Sequence, residues 1–314
     1  MNPHFSVVAP VFNEEELVVK FYERVRVVME GLGEPWELVL VDDGCRDKSP
    51  QLMDEIQAKD EHVVVVHFAR NFGHQLAITA GMDHARGDAV VVIDSDLQDP
   101  PEVIPDLIAK WREGYEVVYA VRAEREGETW FKLFTANAFY RLIQALTDVN
   151  IPMEAGDFRL LDRLALETIK RMRERNRFVR AMVSWIGFRQ AGVPYKRHAR
   201  AAGETKYPLK KMLKLAQDAI VGFSMFPLKL AQWAGGTSVG LGLLLAVILL
   251  ILKLTGAMPL AGQGLVSSLV LFMGGVQLLG IGILGEYVGR IYDEIRNRPL
   301  YIVREVRQVQ DKEL

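Results

Sequence analysis

Asp94, Ser95 and Asp96, followed by Gln98, have the residue types and spacing to hold a divalent cation. In extended chain, residues two apart point the same way, so Asp94 and Asp96 would present neighbouring carboxylates. Two such groups repel unless a cation sits between them, and hard oxygen donors suit Mg²⁺ or Mn²⁺. Gln98, two residues further on, would add a neutral oxygen. A cation held by few carboxylates shares its coordination with substrate phosphates, which points to a nucleotide substrate. The sequence has no His/Cys set at zinc spacing, no phosphate loop with Lys-Ser/Thr and no serine nucleophile elbow. Alone, a carboxylate after a strand is as readily a helix cap or turn former.

The elements that must position these residues are legible as alternating apolar runs and helical stretches. Residues 6–9, 37–41, 63–68, 89–93 and 116–120 read as strands; 15–30, 49–59, 75–86 and 102–111 read as helices. Such alternation predicts an α/β fold with a doubly wound, mostly parallel sheet. Ligands then bind at the carboxyl ends of the strands. The first strand runs into Pro10-Val11-Phe12-Asn13-Glu14, the second into Asp42-Asp43-Gly44, the third into Arg70-Asn71-Phe72-Gly73 and the fourth into Asp94-Ser95-Asp96. Repeated acidic clusters on one sheet edge are hard to explain as capping alone.

Composition divides the chain. A quarter of it is charged and half is hydrophobic, yet no charge occurs from Leu230 to Leu252 or from Leu254 to Gly285. Ala231 to Leu252 would make a helix of roughly 33 Å, matching a hydrocarbon core of about 30 Å. Leu265 to Gly285 supplies a second span, and the short connection makes the two a transmembrane hairpin. Lysines precede it (Lys206, Lys210, Lys211, Lys214, Lys229) and arginines follow it (Arg290, Arg296, Arg298, Arg304), so both flanks are expected in the cytoplasm. Leu209, Met212, Leu213, Ala216, Ile220 and Phe223 form an apolar stripe just upstream, as an amphipathic helix on the bilayer surface would. An amphipathic helix packed on the soluble domain fits the same spacing. Gly280 to Gly285 matches a dinucleotide pattern but lies inside a span; with Gly236/Gly240 and Gly285/Gly289 it reads as helix packing, and it makes a homo-oligomer plausible.

A net charge of −2 argues against nucleic acid as a partner. The single cysteine, Cys45, excludes an internal disulfide framework. The N-terminus lacks a signal-peptide pattern, so the first domain is expected in the cytoplasm. The expected domains are a catalytic unit at 1–205, juxtamembrane amphipathic helices at 206–229, two transmembrane helices at 230–289 and a cytoplasmic tail at 290–314.

Val-Val-Ala-Pro-Val-Phe-Asn-Glu-Glu, Val-Asp-Asp-Gly, Arg-Asn-Phe-Gly and Asp-Ser-Asp-Leu-Gln-Asp-Pro-Pro-Glu resemble family 2 glycosyltransferases of the GT-A fold. Gly156-Asp157-Phe158-Arg159 and Gly203-Glu204-Thr205-Lys206-Tyr207 narrow the resemblance to polyprenyl-phosphate glycosyltransferases, a group that includes dolichol-phosphate mannose synthases. The C-terminal spans, ending in Gly285-Glu286-Tyr287-Val288-Gly289-Arg290, look most like bactoprenol glucosyltransferases. The resemblance implies that Pro10, Phe12, Glu14 and Asp42 line the nucleotide pocket. Asp94, Ser95 and Asp96 would hold the ribose and the metal-bound diphosphate, with Gln98 completing the metal shell. Asp157 would stand beside the reacting sugar; the alternative is a plain ion pair with Arg159 or Arg163. Arg122, Arg125, Lys132, Arg200 and Lys206 would face phosphates. Cys45 departs from the serine common in relatives.

The implied reaction moves a hexose, best matched by glucose from UDP-glucose, onto polyprenyl (undecaprenyl) phosphate with inversion. The product would serve cell-envelope glycosylation. UDP-galactose, a UDP-modified arabinose, a UDP-N-acetylhexosamine or GDP-mannose are alternative donors. A processive polysaccharide synthase is disfavoured by the absence of Gln-x-x-Arg-Trp, and a non-catalytic membrane scaffold by the intact Asp94, Asp96 and Asp157.

Overall fold

The computed structural model describes residues 3–122, 155–175, 177–196, 226–255 and 262–308. The chain forms two units: residues 1–144, 149–208 and 298–314 make the first, and 145–148 with 209–297 the second.

The first unit is built on one mixed sheet, in the order β7-β5-β6-β4-β1-β2-β3-β8. Its strands are β1 (Phe5–Val11), β2 (Trp36–Asp42), β3 (Val63–Phe68), β4 (Ala89–Val92), β5 (Val117–Arg122), β6 (Ala155–Asp162), β7 (Gln190–Tyr195) and β8 (Val303–Arg307). The central four run parallel, as β4-β1-β2-β3. β6 joins antiparallel between β4 and β5, and β8 closes the far edge antiparallel to β3. The predicted doubly wound parallel sheet therefore holds at the centre and becomes mixed at both sides.

Period-two burial explains the layers. Phe5, Val7, Ala9 and Val11 pack with Leu38 and Leu40 against α1 (Val18–Leu32), α2 (Ser49–Gln57) and α4 (Ile104–Arg112). Val8 and Val41 face α3 (His74–His84), where a Cβ on Gly81 would come 2.1 Å from Val8 Cγ1. Only glycine lets the α3 backbone lie this close to the strands. α5 (Arg163–Arg171) and α6 (Val179–Trp185) complete the second helical layer.

The second unit contributes α7 (Phe226–Leu254) and α8 (Gly262–Ile295), whose large apolar side chains, such as Leu241, Leu271 and Leu279, are exposed. Among the described residues, Leu269–Ile295 is the stretch long and apolar enough to cross a membrane by length and composition. Among the described residues, a Cβ on Gly236, Gly240, Gly285 or Gly289 would meet no atom within 4 Å, so these glycines face open space there rather than a packed helix. The amphipathic stretch expected at 206–229 lies outside the described residues up to 225. The expected tail at 290–314 divides differently: α8 runs on to Ile295, and Val303–Arg307 is recruited into the sheet because β3 offers it an unpaired edge.

Candidate active site

Because β1, β2 and β4 are parallel neighbours, their carboxyl ends bring Phe12–Glu14, Asp42–Cys45 and Asp94–Gln98 to one sheet edge. Asp157 arrives by the opposite route. β6 is antiparallel to β4, with Val92 opposite Arg159, and two residues beyond that pair along each strand stand Asp94 and Asp157.

Asp157 is buried, and Arg180 of α6 grips it as a fork: Nε donates to Oδ1 at 2.8 Å and Nη2 to Oδ2 at 2.9 Å. His74, the first residue of α3, places Nε2 3.3 Å from Asp157 Oδ2 and 3.5 Å from Asp94 Oδ1. Arg159 lies 4.0 Å from Asp157 and donates to the Gly156 carbonyl at 2.7 Å. Arg163 turns away to Glu167 and to the Ala85 and Gly87 carbonyls. The ion-pair partner of Asp157 is thus chiefly Arg180, which comes from a helix beyond the strand and not from its immediate neighbours.

These contacts separate the two carboxyls electrically. Burial opposes charge on Asp157, but Arg180 and the His74 hydrogen bond outweigh it and hold the carboxyl well below the usual carboxylate range. Burial also opposes charge on His74, yet its bond to Asp157 and the charges of Asp94 and Asp157 raise it to about 9. Asp94 moves the other way, pushed up to about 6 by burial and only partly offset by His74.

Asp94 Oδ1 is buried and makes no hydrogen bond among the described residues; it faces His74 Nε2 at 3.5 Å, and the side chain as a whole is 28% exposed. A buried carboxylate oxygen without a hydrogen bond, beside Asp96 and Gln98, fits a hard divalent cation. Among the described residues no three His, Cys, Asp or Glu side chains gather into a protein-only metal cage. Oxygens from substrate or water would therefore complete the shell.

The remaining predicted residues hold the edge together. Ser95 is buried and its hydroxyl donates to the Pro10 carbonyl at 2.9 Å, tying the β1 and β4 loops. Asp96 Oδ1 accepts the Gln98 amide at 3.1 Å. The Glu14 amide donates to Ser49 Oγ at 3.0 Å, and Phe12 is exposed on the rim. Asn13 and Leu97 take left-handed φ values of 55° and 57° in these two loops. Such backbone is uncommon outside glycine and is held here by surrounding contacts; Leu97 packs against the main core. Arg122 ends β5 opposite Tyr195 of β7, and because β5 runs parallel to β4 it lies on the same sheet edge, two strands over. Arg125, Lys132, Arg200 and Lys206 lie outside the described residues.

The second acidic pair is held in place by close partners. Asp42 Oδ1 accepts the Cys45 amide at 2.7 Å, and Oδ2 lies 3.0 Å from His67 Nδ1. Burial works against the Asp42 charge, but His67 and Cys45 overcome it and lower the carboxyl. Asp43 accepts the Phe72 and Gly73 amides at 2.7 and 3.1 Å and Asn71 Nδ2 at 2.9 Å, fixing the loop that leads into His74. Between that loop and Asp43, Gly44 has φ +68°, and a Cβ there would strike Asn71 N at 2.4 Å. Cys45 Sγ accepts the Asn13 amide at 3.3 Å and donates to the Val11 carbonyl at 3.4 Å.

The parallel sheet edge thus carries acidic loops, and a returning antiparallel strand adds one more carboxylate. Residues 6–170 match the model of glycosyl transferase family 2, and the chain belongs to that family. It is a glycosyltransferase. It is 52% identical to the uncharacterized glycosyltransferase YkcC of Bacillus subtilis, over 99% of this chain and 96% of that one. It is 42% identical to the bactoprenol glucosyl transferase of Shigella phage SfV, over 96% of this chain and 99% of that one. Glucosyl-3-phosphoglycerate synthase of Mycobacterium tuberculosis, solved with Mn²⁺, UDP and phosphoglyceric acid, is 22% identical with a TM-score of 0.48, over 70% of this chain and 76% of that one. At that distance neither its metal nor its ligands transfer to this chain.

Proposed function

We propose that this chain transfers a hexose, with glucose from UDP-glucose the best match, to polyprenyl phosphate, inverting the anomeric carbon. The single observation that carries the chemistry is the contrast between Asp94, whose buried oxygen makes no hydrogen bond and only faces His74 at 3.5 Å, and Asp157, clamped by the Arg180 fork and His74. The acceptor rests on full-length similarity to proteins named bactoprenol glucosyl transferases and on the apolar C-terminal helix.

Asp94, Asp96 and Gln98 would hold Mg²⁺ or Mn²⁺, which when bound neutralises a departing diphosphate as a Lewis acid. Pro10, Phe12, Glu14, Asp42 and Ser95 line the nucleotide side. A lipid phosphate is already ionised near neutral pH, so no strong general base is required. Asp157 is kept anionic by Arg180 and His74, and it orients the sugar and stabilises positive charge developing at the anomeric carbon. Arg122, Arg125, Lys132, Arg200 and Lys206 are the candidates for phosphate contacts. α7 and α8 form a hairpin in the cytoplasmic membrane, with the catalytic unit and both flanks on the cytoplasmic side.

The test is a donor screen with purified protein, a short-chain polyprenyl phosphate, Mg²⁺ against Mn²⁺, and mass detection of the product. UDP-glucose is expected to give a lipid-linked hexose. Preference for UDP-N-acetylhexosamine, a UDP-modified arabinose or GDP-mannose would reassign the sugar, and no transfer from any donor would defeat the proposal. Asp157→Asn is expected to cut transfer by about 10²–10³-fold while largely sparing UDP binding. Near-normal turnover by that variant would refute its role.

A further inference from the structure

Four charged side chains form an unbroken row from the edge strand to the nucleotide side of the site. Arg307 of β8 places Nη1 3.1 Å from Asp54 Oδ2. Asp54 of α2 places Oδ1 3.0 Å from His67 Nε2. His67 Nδ1 in turn lies 3.0 Å from Asp42 Oδ2. His67 and Asp42 are both buried. Both ring nitrogens of His67 therefore face a carboxylate oxygen. A neutral imidazole would set one lone pair against an anion, so this geometry requires the doubly protonated ring.

A buried imidazolium between two carboxylates fixes the rotamers on either side, because turning either one breaks a charge-assisted hydrogen bond, and at the buried Asp42 end water cannot replace it. Buried ion rows stabilise a fold poorly compared with apolar side chains of similar volume. Fold stability is thus a weak reason for this one to exist. Its end point is more informative. Asp42 Oδ1 accepts the Cys45 amide and Oδ2 faces His67, the Cys45 thiol also interacts with this carboxylate, and two carboxylate oxygens offer about four lone-pair sites in all.

We propose that Arg307, Asp54 and His67 are positioning residues for base recognition, holding Asp42 so that its remaining lone pair accepts the imide N–H of a uracil ring. The strand that follows α8 in sequence is then part of the donor site. This rests on the reading that a uridine nucleotide lies against Asp42.

The experiment measures UDP binding by calorimetry with Mn²⁺ on the full-length protein in detergent, alongside steady-state KM and kcat. Asp42→Asn is expected to weaken UDP by about 10–100-fold, the scale of a hydrogen bond to a charged group. His67→Gln should weaken it about tenfold and Arg307→Ala about threefold, each through donor KM with kcat little changed. Arg304→Ala, an exposed charge on the same strand, is the control and should bind UDP as wild type does. N3-methyl-UDP, which lacks the imide proton, should bind wild type and His67→Gln equally weakly. If Asp42→Asn binds UDP normally, the reading of Asp42 fails. If Asp42→Asn is weak but His67→Gln and Arg307→Ala are normal, the positioning row alone fails. A fall in melting temperature with unchanged UDP affinity would likewise overturn it. Asp54→Asn, at a partly exposed position, replaces His67→Gln should the latter not fold.

Discussion

Two pairs of carboxylates share one sheet edge, and the protein treats them in opposite ways. Asp42 and Asp43, at the end of β2, are buried and given partners: backbone amides, Asn71 and His67. Asp94, at the end of β4, keeps a buried oxygen that makes no hydrogen bond among the described residues and faces only His74 at 3.5 Å, while Asp157 beside it accepts the Arg180 fork and lies nearer His74. Satisfied carboxylates build a frame. An unsatisfied one is a group waiting for a ligand, and its elevated titration near pH 6 records what its burial costs.

The largest expected effect breaks this contrast at Asp94. Asp94→Asn should reduce transfer by at least about 10²-fold, because it removes a charge aimed at the cation. The same change should stabilise the metal-free protein. Asp94 titrates higher in the folded than in the unfolded chain, so the folded state holds the extra proton between about pH 4 and pH 6. Stability attributable to this group is therefore lost as pH rises through that window. An asparagine does not titrate, so at pH 7 with chelator the variant should exceed wild type by on the order of 1–3 kcal/mol, allowing for partial exposure. At pH 4 the difference should vanish. Urea melts at the two pH values check this, and a variant less stable than wild type at pH 7 would contradict the account of Asp94.

A smaller effect tests the frame. Asp43 gathers three donors from Asn71, Phe72 and Gly73, immediately before His74. In Asp43→Asn one oxygen becomes an NH₂ facing amide donors, which should cost about 1–3 kcal/mol of stability. Turnover should drop by about tenfold, since a displaced His74 loosens the Asp94–Asp157 side. Denaturant melts together with kcat decide the matter. Loss of stability with full turnover would show that the loop frames the fold and not the site.

How much of this was legible follows from where each residue's partner lies. The central strands and their acidic ends could be read directly, because four-valine and similar apolar runs in β3 and β4 have few alternatives to burial. β6 carries Asp157 and Arg159, both buried, in the sequence AGDFRLLD, so its alternation is broken by the residues that make it functional. β7 contains Gly192 and Pro194, and β8 reads VREVR, a charged edge strand that resembles a tail. His74 and Arg180 were missed for a related reason. A histidine opening a helix and an arginine within one carry no local sign of function; they meet Asp157 only because β6 runs back beside β4.

The smallest expected effect concerns Cys45, the position at which the family resemblance would put a serine. Its thiol lies between the Asn13 amide and the Val11 carbonyl, accepting from one and donating to the other. Burial pushes the thiol up, so it stays protonated and able to donate. A serine hydroxyl offers the same two functions with a shorter reach and stronger bonds. The gain in bond strength and the loss of fit therefore oppose each other, and Cys45→Ser should shift stability by no more than about 1 kcal/mol. The Cys45 amide that holds Asp42 is backbone and survives the change, so donor KM should stay near wild type. Cys45→Ala removes donor and acceptor together and leaves the Asn13 amide short of a partner in the strained loop, which should cost about 1–2 kcal/mol. Melting curves of the two variants, read against donor KM, separate a thiol that braces the frame from one that touches substrate: the first moves only the alanine melt, the second raises KM in both.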